Sequence, residues 1–425
     1  MNVLFLMADE FRHDAAGFAG RNFAETPCLD ALAADAARFT NAYSPSPLCV
    51  PARQCLATGL YPGHAGCLHF GDDLEPGAAT FARHFSEHGY YTVCCGKLHH
   101  RGPDQMQGWL HRIGAEQAVR WPAAFSDRVQ IGRKKWRGAT EIFEAGCGVS
   151  PLGLADDLAT AGACDFLRMH FGGHNDLPPN VPVLLMVSLQ QPHFPLLTTE
   201  GLLEKYQPGV PVFDDAGASG HPLLDEGRLG PEDGLTGSDL RRATAAYAGM
   251  VEQTDTRFAR VLRTLREVGQ DPGEWLIVFC ADHGDLLGEH GLWGKRKFYE
   301  GSVRVPLFLR GPGVNPGSIS RNVNIIDLFP TLCRATGLPV PTGLDGRDLL
   351  DSAKEDLTFS QLGADQWMIK HGPWKLMIFP EGGNALFHLT DDPGETRNRI
   401  ADRHCQELVQ DLLAERTALM NSWGC

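Results

Sequence analysis

No window of this 425-residue sequence approaches the roughly 18 uninterrupted apolar residues that a membrane-spanning helix needs, so no span is expected. The chain opens Met1-Asn2 and runs straight into VLFLMAD, with neither a basic segment nor an apolar stretch of export-signal length. Its 12 cysteines contain no C-x-x-C pair, which removes the usual zinc knuckle. Without an export signal, they read as reduced thiols, and the expected location is cytoplasmic. Positive charge is scarce. Lys and Arg number 38 against 52 Asp and Glu, a net charge of −14. That excludes general binding to nucleic acid or anionic membranes, which takes a basic face. An anionic substrate would have to meet a positive site built locally. No internal repeat is evident. What remains is an ordinary soluble composition, 43% hydrophobic and 21% charged, long enough for one large core with an appendage or for two to three domains.

Apolar runs of strand length recur at 3–8, 91–96, 181–189, 275–281 and 305–311. Short continuous runs of this kind suit strands buried on both faces of a mostly parallel sheet. Helical patterns lie between them, at 28–39 behind Thr26-Pro27 and at 237–269 behind Ser238. Alternating strand and helix predicts an α/β fold: a large, mostly parallel sheet flanked by helices. From about Pro341 the texture changes to short alternating segments and a closing helix at 405–421. This predicts a catalytic region over 1–340 and a C-terminal α+β subdomain over 341–425, with a small antiparallel sheet. The Gly-, Pro- and Asp-rich stretch 201–236 reads as a long loop.

Ligands of such sheets sit beyond the carboxyl ends of the strands. Those ends carry Asp9 and Glu10; Lys97, His99 and His100; Gln190, Gln191 and His193; and Asp282, His283 and Asp285. Four strand ends therefore each deliver acids, imidazoles or a lysine. A separate stretch, Ser46 to Gly59, reads SPLCVPARQCLATG. A cysteine that merely fills a core needs neither Pro51 nor Arg53 beside it.

The pattern C-x-P-x-R-x-x-x-x-T-G at Cys49, Pro51, Arg53, Thr58 and Gly59 resembles the modification signature of the formylglycine-dependent sulfatases. Ala52 stands where that family most often has Ser. The resemblance implies an alkaline-phosphatase-like fold and oxidation of Cys49 to formylglycine by a generating enzyme before folding is complete. It implies attack on sulfur by one hydroxyl of the hydrated aldehyde. Asp9, Glu10, Asp282, His283 and the modified Cys49 would surround one divalent cation. Calcium is the first expectation from carboxylate ligands, with Mg²⁺ and, through His283, Mn²⁺ as alternatives. GKLHH resembles the family's G-K-x-H, making Lys97 a sulfate contact and His99 the base. QQPHFP resembles P-H-x-P, making His193 a sulfate contact and acid toward the leaving oxygen. Lys295, four residues before Tyr299-Glu300, matches the catalytic lysine, and Arg53 would offset sulfate charge. His100 falls outside the motif and reads as structural, and Lys297 as a solvated charge or a structural pair. ALFHLTDDPGETRNRI (385–400) resembles the sulfatase tail.

The continuation GPDQMQGW is closest to the choline-sulfatase branch, whose quaternary ammonium would want an aromatic cage; Trp109, Trp121 and Trp136 are the nearby aromatics. The implied activity is hydrolysis of small anionic sulfate esters, with a homo-oligomer left open. A phosphonate monoester or phosphodiester hydrolase shares the machinery. A chain whose Cys49 stayed a thiol would be a non-catalytic anion binder.

Overall fold

Val3–Asp9 (β1) is buried along its whole length, as a central strand covered on both faces must be. The computed structural model describes residues 1–20, 23–100, 102–114, 138–174, 178, 180–213, 217–351 and 356–423. The strands that follow are Ala37–Tyr43 (β2), Tyr91–Gly96 (β3), His111–Ile113 (β4), Gly146–Cys147 (β5), Val183–Pro192 (β6), Leu197–Thr198 (β7), Leu276–Ala281 (β8), Arg304–Val305 (β9), Leu307–Arg310 (β10) and Gly317–Asn324 (β11). They build a nine-stranded sheet in the order β11-β2-β10-β8-β1-β6-β3-β4, with β9 pairing β2. β1 runs parallel to β6 and β8, and β3 parallel to β6 and β4. β10 is antiparallel to both β8 and β2, so the sheet is mixed but mostly parallel. β5 and β7 form a separate two-stranded ladder.

Four of the expected strands form whole, and the fifth, over 305–311, is divided at Pro306 into β9 and β10. The helix expected over 28–39 ends sooner. Pro27–Ala34 (α1) is helical behind Thr26, with Pro27 in its first turn, and the chain then enters β2. Aromatic Phe39 and Tyr43 turn inward there, and pairing with β10 and β11 outweighs the Ala-rich helical signal. Cys49–Thr58 (α2) follows β2. Pro151–Phe171 (α3) is capped by Ser150, whose hydroxyl accepts from Gly153 N–H, and it crosses from the β5 edge toward β6. Gly237–Glu267 (α4) starts one turn-residue pair earlier than Ser238 suggests. Thr236 is its cap, in a reciprocal pair with Asp239. The stretch 201–236 is not all loop. It opens in the helix Glu200–Tyr206 and holds single turns at Pro222–Asp225 and Pro231–Asp233.

After Leu328–Thr336 (α5), the C-terminal meander runs Leu357–Leu362 (β12), Gln366–His371 (β13), Trp374–Ile378 (β14) and Ala385–His388 (β15). Each neighbour is antiparallel. Gln406–Ser422 (α6) closes the chain. Trp367, Ile369 and Leu376 pack with Val409 and Leu412 of α6 and with Tyr61 and Ile326 of the larger layer. This shared core fixes the small sheet against the large one. Among the described residues, no helix is long and apolar enough to cross a membrane.

Candidate active site

β1 stops at Asp9, where its register with β6 shifts and Asp9 falls opposite Pro192. Glu10 then takes φ +62, a left-handed conformation that costs a non-glycine residue about 1–3 kcal/mol. Long-range bonds hold it there. Glu10 N–H donates to Asp282 Oδ1 at 3.1 Å, and Tyr247 Oη donates to the Glu10 carbonyl at 2.6 Å. The carboxylates of β1 and β8 are thereby locked together.

β8 delivers Asp282 and His283. Asp282 Oδ1 also accepts His283 N–H at 3.0 Å, while Oδ2 accepts Arg53 Nε at 2.8 Å. His283 Nδ1 lies 3.0 Å from the Gly284 carbonyl. That bond puts its proton on Nδ1 and leaves the Nε2 lone pair turned inward. Nε2 is 3.9 Å from Asp9 Oδ1 and 3.7 Å from Asp282 Oδ1. Burial lowers the His283 pKa to about 4, so the ring is neutral.

α2 begins at Cys49, behind an extended Leu48. Pro51 falls in the helix's first turn, where a missing N–H leaves no bond unmade. All ten residues of α2 are buried. Arg53 is 3% exposed and fully engaged. Besides Asp282, it reaches Asp9 Oδ2 at 3.1 Å, the Lys97 carbonyl at 2.9 Å and Ser188 Oγ at 2.9 Å. Its charge is spent on the carboxylates and the strand ends rather than held open for a ligand. Burial raises the Cys49 thiol pKa, with Lys295 and Lys97 pulling it down and Asp9 and Asp282 pushing it up. The sulfur therefore sits among two cations and two carboxylates.

β3 ends at Gly96, with φ +102 and the Ser188 carbonyl 2.1 Å from where a Cβ would stand. Only glycine fits, and the crowding brings Lys97 N–H within 2.9 Å of the same carbonyl. Lys97 Nζ pairs with Asp9 Oδ2. His99 also takes φ +62, with its ring edge-on to Phe70 at 5.8 Å. Gln54, one residue past Arg53 in α2, donates from Nε2 to the His99 carbonyl at 2.7 Å and receives His100 Nδ1 at 3.0 Å. Burial lowers the His100 pKa to about 3.

β6 ends in Gln190 and Gln191, whose N–H groups donate to Asp156 of α3 at 2.7 and 2.8 Å. His193 follows, its Nδ1 2.8 Å from the Phe194 carbonyl and its Nε2 3.4 Å from Glu10 Oε2. Burial, aided by Lys295, holds its pKa well below the usual imidazole value. Lys295 Nζ lies 3.2 Å from Glu10 Oε2 and 4.0 Å from Asp9 Oδ1. Against the cost of burial, Glu10 raises its pKa and keeps it an ammonium. Lys297 turns away to the Leu223 carbonyl and Glu226, so it is a structural pair. Burial would raise the Asp9 pKa, but Lys97 and Arg53 hold it well below the usual range. For Glu10, burial together with the neighbouring Asp285 and Asp9 outweighs Lys295, and its pKa is raised well above the usual range.

Three buried atoms in this cluster have no hydrogen-bond partner: Asp9 Oδ1, Glu10 Oε1 and His283 Nε2. Two donor sets, Asp9-Asp282-His283 and Asp9-Glu10-His193, each bring their ligating atoms within 4.8 Å of one another. Orphaned oxygens beside a neutral imidazole nitrogen fit a hard divalent cation. A cavity of about 810 Å³ lies elsewhere, lined by His13, Glu300, Arg304, Lys370 and Glu395. Converging chemistry, not volume, marks the site. Trp109 is 3% exposed and packs edge-on to Phe81 at 5.6 Å, so it is a core residue. Trp121 and Trp136 lie outside the described residues. Sequence reasoning missed Gln54, Asp156, Ser188, Arg12 and Tyr247. Gln54 stands inside the cysteine motif and was within reach; the others lie far along the chain from the groups they hold.

A sulfatase family model matches residues 1–338, and a model of the N-sulphoglucosamine sulphohydrolase C-terminal region matches residues 288–422. A choline-sulfatase of Rhizobium meliloti is 29% identical over 429 residues, covering 93% of this chain and 82% of that protein. An arylsulfatase of Clostridium perfringens is 26% identical over 462 residues, covering 97% and 92%. The solved phosphonate monoester hydrolase of Agrobacterium radiobacter superposes with a TM-score of 0.80 at 25% identity, covering 99% and 96%. A structure determined with D-glucosamine-2-N,6-O-disulfate shares the fold, with a TM-score of 0.78 at 18% identity over 100% and 98%.

Proposed function

The chain belongs to the sulfatase family of hydrolases, and on that premise we propose that it cleaves sulfate monoesters at a formylglycine made from Cys49. The observation that carries the reading is Cys49 at the head of a buried helix, set among Lys97, Lys295, Asp9 and Asp282. When formed, the hydrated formylglycine supplies the nucleophilic hydroxyl. When bound, a divalent cation supplies charge to orient that hydroxyl and polarise a sulfate oxygen. Asp9, Asp282 and His283 would hold it, with Glu10 beside Asp9 as a further carboxylate.

The remaining work falls to the chain's own side chains. Arg53 bridges Asp9 and Asp282 and so fixes the carboxylates in one geometry. Lys97 and Lys295 bring the positive charge that a sulfate needs in an acidic protein. His193 is neutral, with its proton on Nδ1 toward Phe194, so Nε2 accepts rather than donates. Lys295, an ammonium, is the better donor toward the leaving oxygen. His99 stands at the end of β3, held by Gln54, as the base. In the net reaction one S–O bond breaks, the alcohol takes a proton, and sulfate departs with the oxygen of water.

Similarity to a phosphonate monoester hydrolase favours a second reading on the same residues. The deciding test compares kcat/KM on an aryl sulfate and an aryl phosphonate monoester, using protein whose Cys49 conversion is verified by peptide mass. A sulfate preference supports the first reading, and a phosphonate preference above about tenfold, some 1.4 kcal/mol in transition-state binding, replaces it. Cys49→Ala is expected to abolish turnover while the protein stays folded. Turnover by that variant above about one part in a thousand removes Cys49 from the chemistry.

A further inference from the structure

Arg12 lies two residues past Glu10, is fully buried at 0% exposure, and belongs to none of the catalytic groups above. Its guanidinium is clamped between two acids. Nε is 2.8 Å from Asp14 Oδ1 and Nη2 is 2.8 Å from Glu289 Oε1, with Nη2 also 3.1 Å from Asp14 Oδ2. Phe213 covers its face at 4.1 Å. Nη1 donates to the Asp285 carbonyl at 2.6 Å and to the Leu286 carbonyl at 3.3 Å. A buried charge this fully bonded is there to hold something.

What it holds is the loop between His283 and Lys295. Asp285 Oδ1 closes that loop by accepting Leu287 N–H at 2.8 Å and Gly294 N–H at 2.9 Å. Gly294 directly precedes Lys295. Arg12 pins the Asp285 carbonyl from outside and pins Glu289 at the far bend. Gly301 leaves the space this requires. A Cβ there would stand 2.4 Å from Glu289 Oε2 and 2.7 Å from Arg12 Nη1. The Arg12 backbone is tied to the metal side as well, since its N–H donates to Tyr247 Oη at 2.9 Å, and Tyr247 Oη donates to the Glu10 carbonyl.

We propose that Arg12 is a positioning residue that sets Lys295 against the Glu10 and Asp9 carboxylates by fixing the 285–294 loop. The role rests on the sulfatase reading for the function of Lys295, but not for the loop geometry. A lysine at this position keeps the charge and loses the fork that spans two acids and two carbonyls. Arg12→Lys is therefore expected to lower kcat/KM on an aryl sulfate by about thirtyfold, while Lys295→Ala lowers it by about 10²–10³-fold. If Arg12 acts through Lys295, the double variant falls within about twofold of Lys295→Ala alone. Multiplying losses overturn the proposal, because they show Arg12 acting elsewhere.

Hydrogen exchange supplies a readout that needs no turnover. Arg12→Lys should speed exchange in the peptide spanning 285–295 by about tenfold and leave β1 and β6 peptides unchanged. An unchanged 285–295 peptide overturns the proposal. Glu289→Gln, a milder change at a partly exposed partner, gives the same exchange test should Arg12→Lys fail to fold. A wild-type protein inert toward sulfate esters counts against the sulfatase reading alone, and the exchange result then decides the role of Arg12.

Discussion

Replacing Asp282 with Asn changes one atom and almost no volume, so its consequences can be counted bond by bond. Asp282 is fully buried. Oδ2 takes Arg53 Nε at 2.8 Å, and Oδ1 takes the Glu10 and His283 N–H groups at 3.1 and 3.0 Å. Asn has only one acceptor to offer. If it keeps the two backbone donors, its NH₂ faces the guanidinium, donor against donor. If it turns to Arg53, two buried N–H groups lose their partner. Either arrangement forfeits at least one charge-assisted bond, about 1.5–3 kcal/mol, and leaves Arg53 with Asp9 as its one paired carboxylate. Deleting a partner of a buried pair outright costs about 3–5 kcal/mol. The isosteric change should therefore cost about 2–4 kcal/mol, read as a fall in the urea midpoint. Metal retention should suffer more. Losing a residue that merely orients a ligand weakens metal binding about 10–100-fold, so losing an anionic ligand should weaken it by more than about a hundredfold. Metal content after gel filtration, the urea midpoint and aryl sulfate turnover read the three effects separately. An Asp282→Asn protein with full metal occupancy and an unmoved midpoint would falsify both the ligand assignment and the bond count.

Other expectations test other parts of the molecule. His100 and His13 are held neutral by burial, with pKa values lowered to about 3. Stability should be complete above the unfolded-state value near 6.5 and decline as pH falls toward 3, because the unfolded chain takes up protons that the folded one refuses. His100→Gln should flatten that decline by about 1.4 kcal/mol per pH unit, and an unaltered slope between pH 6 and 4 rules His100 out as its source. Gly284→Ala would place a Cβ 2.2 Å from the Gly301 carbonyl, where neither backbone is free to yield. Turnover should drop more than about a hundredfold, since the displaced residue adjoins His283. Near-normal turnover would show that the turn can relax. Leu376→Ala, in the core shared by β13, β14 and α6, should cost about 2–5 kcal/mol of unfolding free energy, measurable by denaturant titration. A loss below about 1 kcal/mol would mean that the small sheet collapses around the gap.

Much of the site was legible because a buried parallel strand and a polar strand end leave separate marks. Continuous apolar runs located β1, β3, β6 and β8, and the acids, imidazoles and lysines fell where those runs stopped. α2 was harder to read. Pro51 stands inside it, and the helix's unpaired first turn explains why the proline does not interrupt it. The helix expected over 28–39 overran the start of β2, because an alanine-rich stretch carries a helical signal until distant strand partners, such as Ser318 opposite Arg38, are in place. The supporting residues share that difficulty. Arg12 reaches carbonyls 273 and 274 residues away. Asp156 serves amides 34 and 35 residues away. A side chain whose purpose lies across the fold has no local pattern to announce it, whereas Gln54, beside Arg53 in the cysteine stretch, could have been suspected.

The complete burial of α2 also concerns timing. An enzyme that must grip the stretch around Cys49 as accessible chain cannot reach a helix whose ten residues are all covered. If Cys49 is converted as proposed, that conversion competes with closure of the core around α2. On that reading, the active fraction of a preparation would be set before α2 is covered, and treatment of the folded protein would not raise it. A specific activity then measures two things at once: the chemistry of one site, and the history of the cell that made it.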